Sequence, residues 1–323
     1  MLLNFLGNNT ATWLTKTSVC AIFVDTTWQI AVECYKVSIE IGIDTILFSI
    51  GSFEIGWHGI MVSLAVIVGV GVSLWFAKGV GIKKETVYSA APWAIIGGII
   101  GARLFHVIDY LGSTYISHPA QIFTQFFSGL SILGAILGGT LAVFIYARIT
   151  HPPLGRLADA IAPALLLAQA VGRIGCTING DACGTPTSMP WGFVYTSDNA
   201  IAPQILAQAG YSPTVATHPS PVYEIMWDIL VFALLWRLKG RLKPDGSLFL
   251  LYLSLYSFGR FFIEFTRLVT PDQINVFGLL HSPHFITLIV LSVCVPLLIY
   301  RIRKARAEAI ADPPAEELPY PLP

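Results

Sequence analysis

The sequence predicts an all-α polytopic membrane protein of about seven transmembrane helices, with a small irregular head region at the outer surface. Three observations predict it. Of 323 residues, 54% are hydrophobic and 12% charged, and the mean hydropathy is +0.68, whereas soluble domains are about 25% charged. Stretches long and apolar enough to cross a ~30 Å hydrocarbon layer fall at roughly 56–77, 88–110, 128–147, 157–176, 222–238, 246–266 and 283–300. Lys and Arg then concentrate in every second loop between those stretches, the pattern that orients a membrane protein.

The scarcity of charge argues against a water-soluble enzyme, a nucleic-acid binder and a disordered chain. Lys+Arg and Asp+Glu are both 19, so charge points to no acidic or basic partner, and no nucleic acid is expected. Membrane lipid is the expected surrounding. Cysteines at 20, 34, 176, 183 and 294 are too few and too scattered for a disulfide scaffold.

The first 45 residues carry Asp25, Glu33, Glu40 and Asp44 among apolar stretches. No window among them reads as a span or a cleavable signal peptide, which leaves two expectations: an outer-surface extension of uncertain order, or a translation start placed too early. Residues 46–304 form the transmembrane domain. In the second and third spans, Gly97, Gly98 and Gly101, and Gly134, Gly138 and Gly139, give small-residue faces on which helix backbones approach closely. The long connection 177–221, with a strand-like Trp191–Tyr195 run, is too long for a plain connector and is expected to be functional. The Pro-rich, acidic residues 305–323 are expected to form a disordered cytoplasmic tail.

Loop 78–87, loop 148–156, residues 237–245 and the stretch after 300 together hold 13 of the basic residues, against Lys16, Lys36 and Arg267 on the opposite side. The N-terminus is therefore expected outside and the C-terminus in the cytoplasm, in the inner (cytoplasmic) membrane. The remaining basic residues, Arg103, Arg173 and Arg260, lie within spans. A central Arg costs roughly 2.5–3.5 kcal/mol on insertion scales. At 1.5 Å per residue these three sit roughly 10, 5 and 9 Å below the outer surface. His58, His106, Asp109, Glu224, Asp228 and Glu264 share that layer, and Arg260 and Glu264 are spaced i,i+4 on one helix face. Snorkelling accounts for single arginines near a helix end. Several charges at one depth point instead to a polar cavity open to the outer leaflet. Arg suits phosphate there because its planar fork donates two parallel hydrogen bonds.

The fourth span closes on Asp159-Ala-Ile-Ala-Pro163 and then Gly172-Arg-Ile-Gly-Cys-Thr-Ile-Asn-Gly-Asp-Ala-Cys-Gly184. This resembles the prolipoprotein diacylglyceryl transferase signature, approximately G-R-x-G-N-F-x-N-G-E-x-x-G. Phe48-Ser-Ile-Gly51 before Trp57-His-Gly59, Gly101-Ala-Arg103-Leu, His218-Pro-Ser-Pro-Val-Tyr-Glu224, and Phe258-Gly-Arg260 with Glu264 follow that family's motifs in order. The resemblance covers roughly residues 46–300. It implies transfer of a diacylglyceryl group from phosphatidylglycerol to the lipobox cysteine thiol of prolipoproteins, presented on their signal peptides. A thioether forms and glycerol phosphate leaves. Other readings are a divergent paralogue using the same phospholipid site on another acceptor, and a non-enzymatic lipid-binding or transport protein.

The resemblance implies catalytic roles for His58, Arg260, Glu264 and Asp181. It implies substrate binding by Arg173, at the lipid phosphate, and by Arg103. Asn179, Gly180 and Gly184 would form a turn over the headgroup, and His218 and Glu224 would order the outer loop. A free thiol titrates near 8.5, so a base must help form the thiolate, and the departing phosphate needs its charge stabilised. The chain departs from the family pattern at four polar positions: His58 stands for Tyr, Cys176 for Asn, Asp181 for Glu, and Leu133 for the His or Tyr of many members. His58 has two open roles, proton acceptor or headgroup ligand. Cys176 and Cys183 have three: a disulfide, a thiol-substrate site, or packing. No cofactor is implied, and two cysteines alone make no metal site.

Overall fold

The computed structural model describes residues 10–15, 18–24, 30–36, 38–51, 53–124, 129–268, 275–276 and 280–311. Short strands precede the first long helix: β1 (Thr10–Thr15), β2 (Ser18–Val24), β3 (Ile30–Lys36), β4 (Ile39–Ile41), β5 (Ile46–Ile50) and β6 (Phe53–Gly56). There follow α1 (Trp57–Ala77), α2 (Lys84–Asp109), the single turn α3 (Gln121–Thr124), α4 (Ile132–Thr150) and α5 (Leu154–Asn179). Next come β7 (Phe193–Tyr195), α6 (Ala202–Gln208), α7 (Ser220–Leu238), α8 (Ser247–Glu264), β8 (Asn275–Val276), β9 (Leu280–His281) and α9 (Ser282–Ala311).

Each of the seven apolar windows lies on a helix. Five of these helices are long and apolar enough to cross a membrane, namely 57–80, 84–109, 132–150, 154–179 and 282–308. α7 and α8 are helices of 19 and 18 residues that carry Glu224, Asp228, Arg260 and Glu264. Pro92, Pro163 and Pro296 lie inside α2, α5 and α9, as tolerated in membrane helices, where neighbours satisfy the freed backbone groups. Large aliphatic side chains such as Ile67, Ile100, Leu141, Ile149 and Ile289 are more than half exposed. So much bare apolar surface on long helices fits a lipid surrounding rather than water, and the chain is a multi-pass membrane protein.

The expectation of an all-α chain is corrected by the strands. β1, β2 and β3 form an antiparallel sheet with Cys20 opposite Cys34. Their sequences, TATWLT, SVCAIFV and IAVECYK, are rich in the β-branched and aromatic residues that favour a pleated ladder. They were legible only as apolar stretches too interrupted by charge to span. At the other end, α9 continues to Ala311, past the expected start of a disordered tail at 305. Residues 312–323 lie outside the described residues.

The chain divides into two compact units, residues 1–66, 167–231 and 254–293 in one, and 67–166, 232–253 and 294–323 in the other. In the first, β5 and β6 form a hairpin through Gly51, with a bulge between Ile46 and Phe48, that delivers the chain directly into α1. β4 pairs in parallel with β7, Ile39 opposite Phe193 and Ile41 opposite Tyr195. The long connection 177–221 is thus folded. It buries Cys183, Phe193, Tyr195, Ala200, Ala202 and Leu206 in a small core against which Ile41, Val222 and Leu268 also pack, and Thr217 bridges to Phe193 and Pro186.

In the second unit α2 packs on α4. A methyl group on Gly101 or Gly134 would collide with the other helix's backbone, so the small-residue faces do bring the two backbones together. Ala77, Ile82, Val87, Ala90, Tyr146, Leu157 and Ala160 form a buried cluster. Asp159, buried in α5, accepts N–H groups of Gly246 at 2.7 Å and Phe249 at 2.9 Å. It therefore caps the start of α8, where exposed backbone donors favour a carboxylate.

Candidate active site

The first unit gathers charged side chains from α5, α7 and α8, and from Arg267 just past α8, around one carboxylate. Glu224, one turn into α7, is 3% exposed. Its Oε2 forms an ion pair with Arg173 Nε of α5 at 2.6 Å. Its Oε1 accepts Arg260 Nη1 of α8 and lies 3.5 Å from Arg267 Nη1. Arg260 Nη2 also forms an ion pair with Glu264 Oε2 at 2.6 Å, the i,i+4 pair anticipated from spacing. The result is a network of alternating sign, Arg173–Glu224–Arg260–Glu264, its carboxylates buried and its guanidinium groups half-buried, with Arg267 at its flank. Asp228, 2% exposed, lies one turn further along α7. The sequence places Glu224 in the polar layer with the arginines and in the ordering of the outer loop. In the structure it is also the common ion-pair partner of three guanidinium groups, because its helical position faces both α5 and α8.

Arg267 was missed by the sequence reading, which placed it in an outer loop. The available signal was its spacing, three residues after Glu264 and seven after Arg260, which continues the face of α8. Arg267 N–H donates to Glu264 O at 3.0 Å, extending the helix end. Burial, and then Arg260, pull its pKa below the ordinary guanidinium value, opposed by Glu224 and Glu264.

A second cluster joins α1 to the end of α5. Gly175 allows their approach: a methyl there would sit 3.0 Å from Met61 Cβ and 3.1 Å from His58 Cα. As a result His58 Nδ1 lies 4.0 Å from Cys176 Sγ and 3.5 Å from Asp181 Oδ2. Cys176 Sγ is also 3.8 Å from Arg173 Nη1, so the thiol adjoins both clusters. α5 ends at Asn179, whose Nδ2 donates to Asp181 Oδ2 at 3.2 Å. Gly180 follows at φ +75°, the left-handed conformation that closes a helix at low cost only for glycine. A side chain there would strike Ala202 and Tyr195.

The remaining predicted residues act nearby or elsewhere. Gly184 bridges to Arg267 and leaves no room for a side chain beneath His218. His218 Nδ1 meets Tyr223 Oη at 3.3 Å, next to Glu224 in the chain. Tyr223 in turn accepts Trp191 Nε1 at 2.9 Å. Arg103 belongs to the second unit. It is 4% exposed, and its guanidinium donates to the carbonyls of Gln121 and Ile122 at 2.8 and 2.9 Å and to that of Gly129 at 3.3 Å. Cys176 and Cys183 are free thiols, which removes the disulfide reading. Cys183 packs in the small core of the 177–221 connection, and burial pushes its pKa up to about 11.

The same segments carry the relationship to known proteins. A family model described as prolipoprotein diacylglyceryl transferase matches residues 45–300. The chain belongs to this family. A member from Dehalococcoides mccartyi, named phosphatidylglycerol--prolipoprotein diacylglyceryl transferase, is 40% identical over 268 residues, spanning 83% of this chain and 97% of that protein. Proteins of the same name from Trichormus variabilis and Clostridioides difficile are 39% and 35% identical, over 69% of this chain in each case and over 78% and 83% of their own lengths. The family match begins at the β5–β6 hairpin and ends within α9, so it contains both charged clusters.

Proposed function

We propose that the protein transfers the diacylglyceryl group of phosphatidylglycerol to the lipobox cysteine thiol of prolipoproteins, releasing glycerol phosphate. The observation that carries this reading is the Arg173–Glu224–Arg260 arrangement, built on a buried carboxylate, within the family's matched region. A carboxylate held between two arginines fixes both guanidinium groups without consuming all their N–H donors. Arg173 keeps 23% of its side chain exposed and binds the lipid phosphate. Arg260 and Glu264 hold the second side of the polar site and steady the charge that grows on the departing phosphate. Asn179, Gly180 and Gly184 form the turn over the headgroup, and His218 orders the outer loop.

The acceptor thiol meets the His58 cluster, whose side chains promote loss of its proton. His58 is 42% exposed, open to an incoming peptide. The protein spans the inner membrane seven times, with α7 and α8 as the two charged spans. The N-terminus and the 177–221 head lie outside and the C-terminus in the cytoplasm, following the distribution of Lys and Arg.

The test uses the purified full-length protein, vesicles containing phosphatidylglycerol, and a lipobox peptide. Thioether formation and glycerol phosphate release in equal amounts are expected, with neither product from a peptide carrying Ser in place of the lipobox Cys. Consumption of the lipid without the thiol peptide would refute the transfer.

A further inference from the structure

We propose that His58, Cys176 and Asp181 form a binding site for a thiophilic divalent transition metal ion, zinc by its chemistry, with an open fourth position for the acceptor thiol. The three ligand atoms, Nδ1, Sγ and a carboxylate oxygen, all lie within 4.8 Å of one another. Tetrahedral zinc with N, O and S ligands at ~2.0–2.3 Å requires ligand separations of roughly 3.4–3.6 Å. The His58–Asp181 separation of 3.5 Å already matches, and the His58–Cys176 separation of 4.0 Å closes with a few tenths of an ångström.

The direction of the contacts distinguishes a ligand set from a proton relay. A nucleophile–His–carboxylate relay uses both ring nitrogens, the nucleophile on one and the carboxylate on the other. Here Cys176 and Asp181 both approach Nδ1, so the three donors converge on one point. Asp181 adds a second observation. Its Oδ1 is buried and makes no hydrogen bond among the described residues, while Oδ2 is held by Asn179 at 3.2 Å, a second-sphere contact that orients the carboxylate. The charges balance, since one thiolate and one carboxylate neutralise a dication beside Arg173, which Glu224 already pairs. These are also three of the four polar positions at which the chain departs from the family pattern.

Three protein ligands with one vacant position are the arrangement of a catalytic rather than a structural zinc. A thiol that coordinates zinc is deprotonated outright. The use of the site rests on the transfer reaction proposed above. The acceptor S–H bond breaks on coordination and its proton leaves to solvent. The sulfur pair forms the S–C bond to the glycerol carbon, and the C–O bond to phosphate breaks with its pair on glycerol phosphate. The metal keeps its charge and His58 acts as a ligand.

The experiment titrates Co2+ into chelator-stripped, full-length protein in detergent. One equivalent should bind, with a thiolate-to-cobalt charge-transfer band and the intense visible bands of four-coordinate cobalt, displaced by Zn2+. Cys176→Ser should abolish the charge-transfer band, and Asp181→Asn or His58→Gln should weaken binding at least tenfold. Cys183→Ala should leave the band intact. Because His58→Gln retains the thiol, it tests the site even if Cys176→Ser fails to fold. Absence of stoichiometric binding, or a band surviving Cys176→Ser, would overturn the site. A lipobox peptide should then strengthen the charge-transfer band, and its Ser analogue should not. Unmoved bands would refute the acceptor position. Stoichiometric binding without any transfer activity would uphold the metal site and overturn the transferase reading.

Discussion

Arg173 Nε meets Glu224 Oε2 at 2.6 Å, with the carboxylate only 4% exposed along its side chain. The arginine that the signature motif assigns to phosphate is thus anchored from behind by a residue 51 positions later in the chain. Because the same carboxylate also accepts from Arg260, one side chain sets the orientation of two cations from two helices.

Removing that anchor should therefore do more harm than removing one pair. Glu224→Gln leaves Arg173, Arg260 and Arg267 adjacent with a neutral partner, and breaking a buried pair typically costs ~3–5 kcal/mol. Thermal unfolding should show a large loss of stability, together with loss of transfer. Wild-type stability in Glu224→Gln would mean that the network carries little folding energy.

Arg173→Ala should lower transfer at least a hundredfold, since each hydrogen bond to a charged group is worth ~1.5–3 kcal/mol and a bidentate contact has two. Arg173→Lys should recover little, because a point charge lacks the fork. Transfer assays at saturating phosphatidylglycerol decide this, and wild-type rates in Arg173→Ala would take the residue out of the site.

Arg260 and Glu264 should prove coupled. Either single alanine leaves a buried charge without its i,i+4 partner, although Arg260 retains Glu224. The double variant should lose less stability than the sum of the singles, by ~0.5–3 kcal/mol for residues in one network. Additive losses would argue against coupling.

His58→Gln should slow transfer, since a side-chain amide neither accepts the thiol proton nor binds a metal as imidazole does. Wild-type rates in the Gln variant would shift attention to Asp181.

Cys183 should resist alkylation. With its pKa raised to about 11 by burial, its thiolate fraction at pH 8 is about a thousandth, against roughly a quarter for an ordinary thiol near 8.5. Its rate with iodoacetamide should be about 10²-fold below that of a free cysteine. The folded state binds the thiol proton more tightly, so this group favours folding below about pH 8.5, and that contribution is lost as pH rises toward 11. Rapid labelling at pH 8 in the folded protein would contradict its burial.

The helical part of the architecture could be read directly from the chain. Every apolar window became a helix, because a long run of Leu, Ile, Val, Ala and Gly in lipid must satisfy its backbone within the segment. The glycine faces of α2 and α4 were legible for a related reason: absent side chains permit one backbone to approach another, and that absence is written in the sequence. Arg260 with Glu264 was legible because a helix fixes what lies one turn away. The strands at 10–36 were not, since short stretches of mixed polarity acquire a ladder only from partners elsewhere in the chain.

Tertiary structure decided what each charge meets. Sequence alone put Arg173, Glu224 and Arg260 at a common expected depth, but only the packing of α5, α7 and α8 turned depth into contact and made Glu224 their shared ion-pair partner. It recruited Arg267 to the network and placed His58, Cys176 and Asp181 around one point. It also gave Arg103 its main-chain acceptors in the second unit. Local sequence specifies spacing along one helix. The pairing of charges on different helices depends on their azimuth and crossing, which arise only when the whole chain packs.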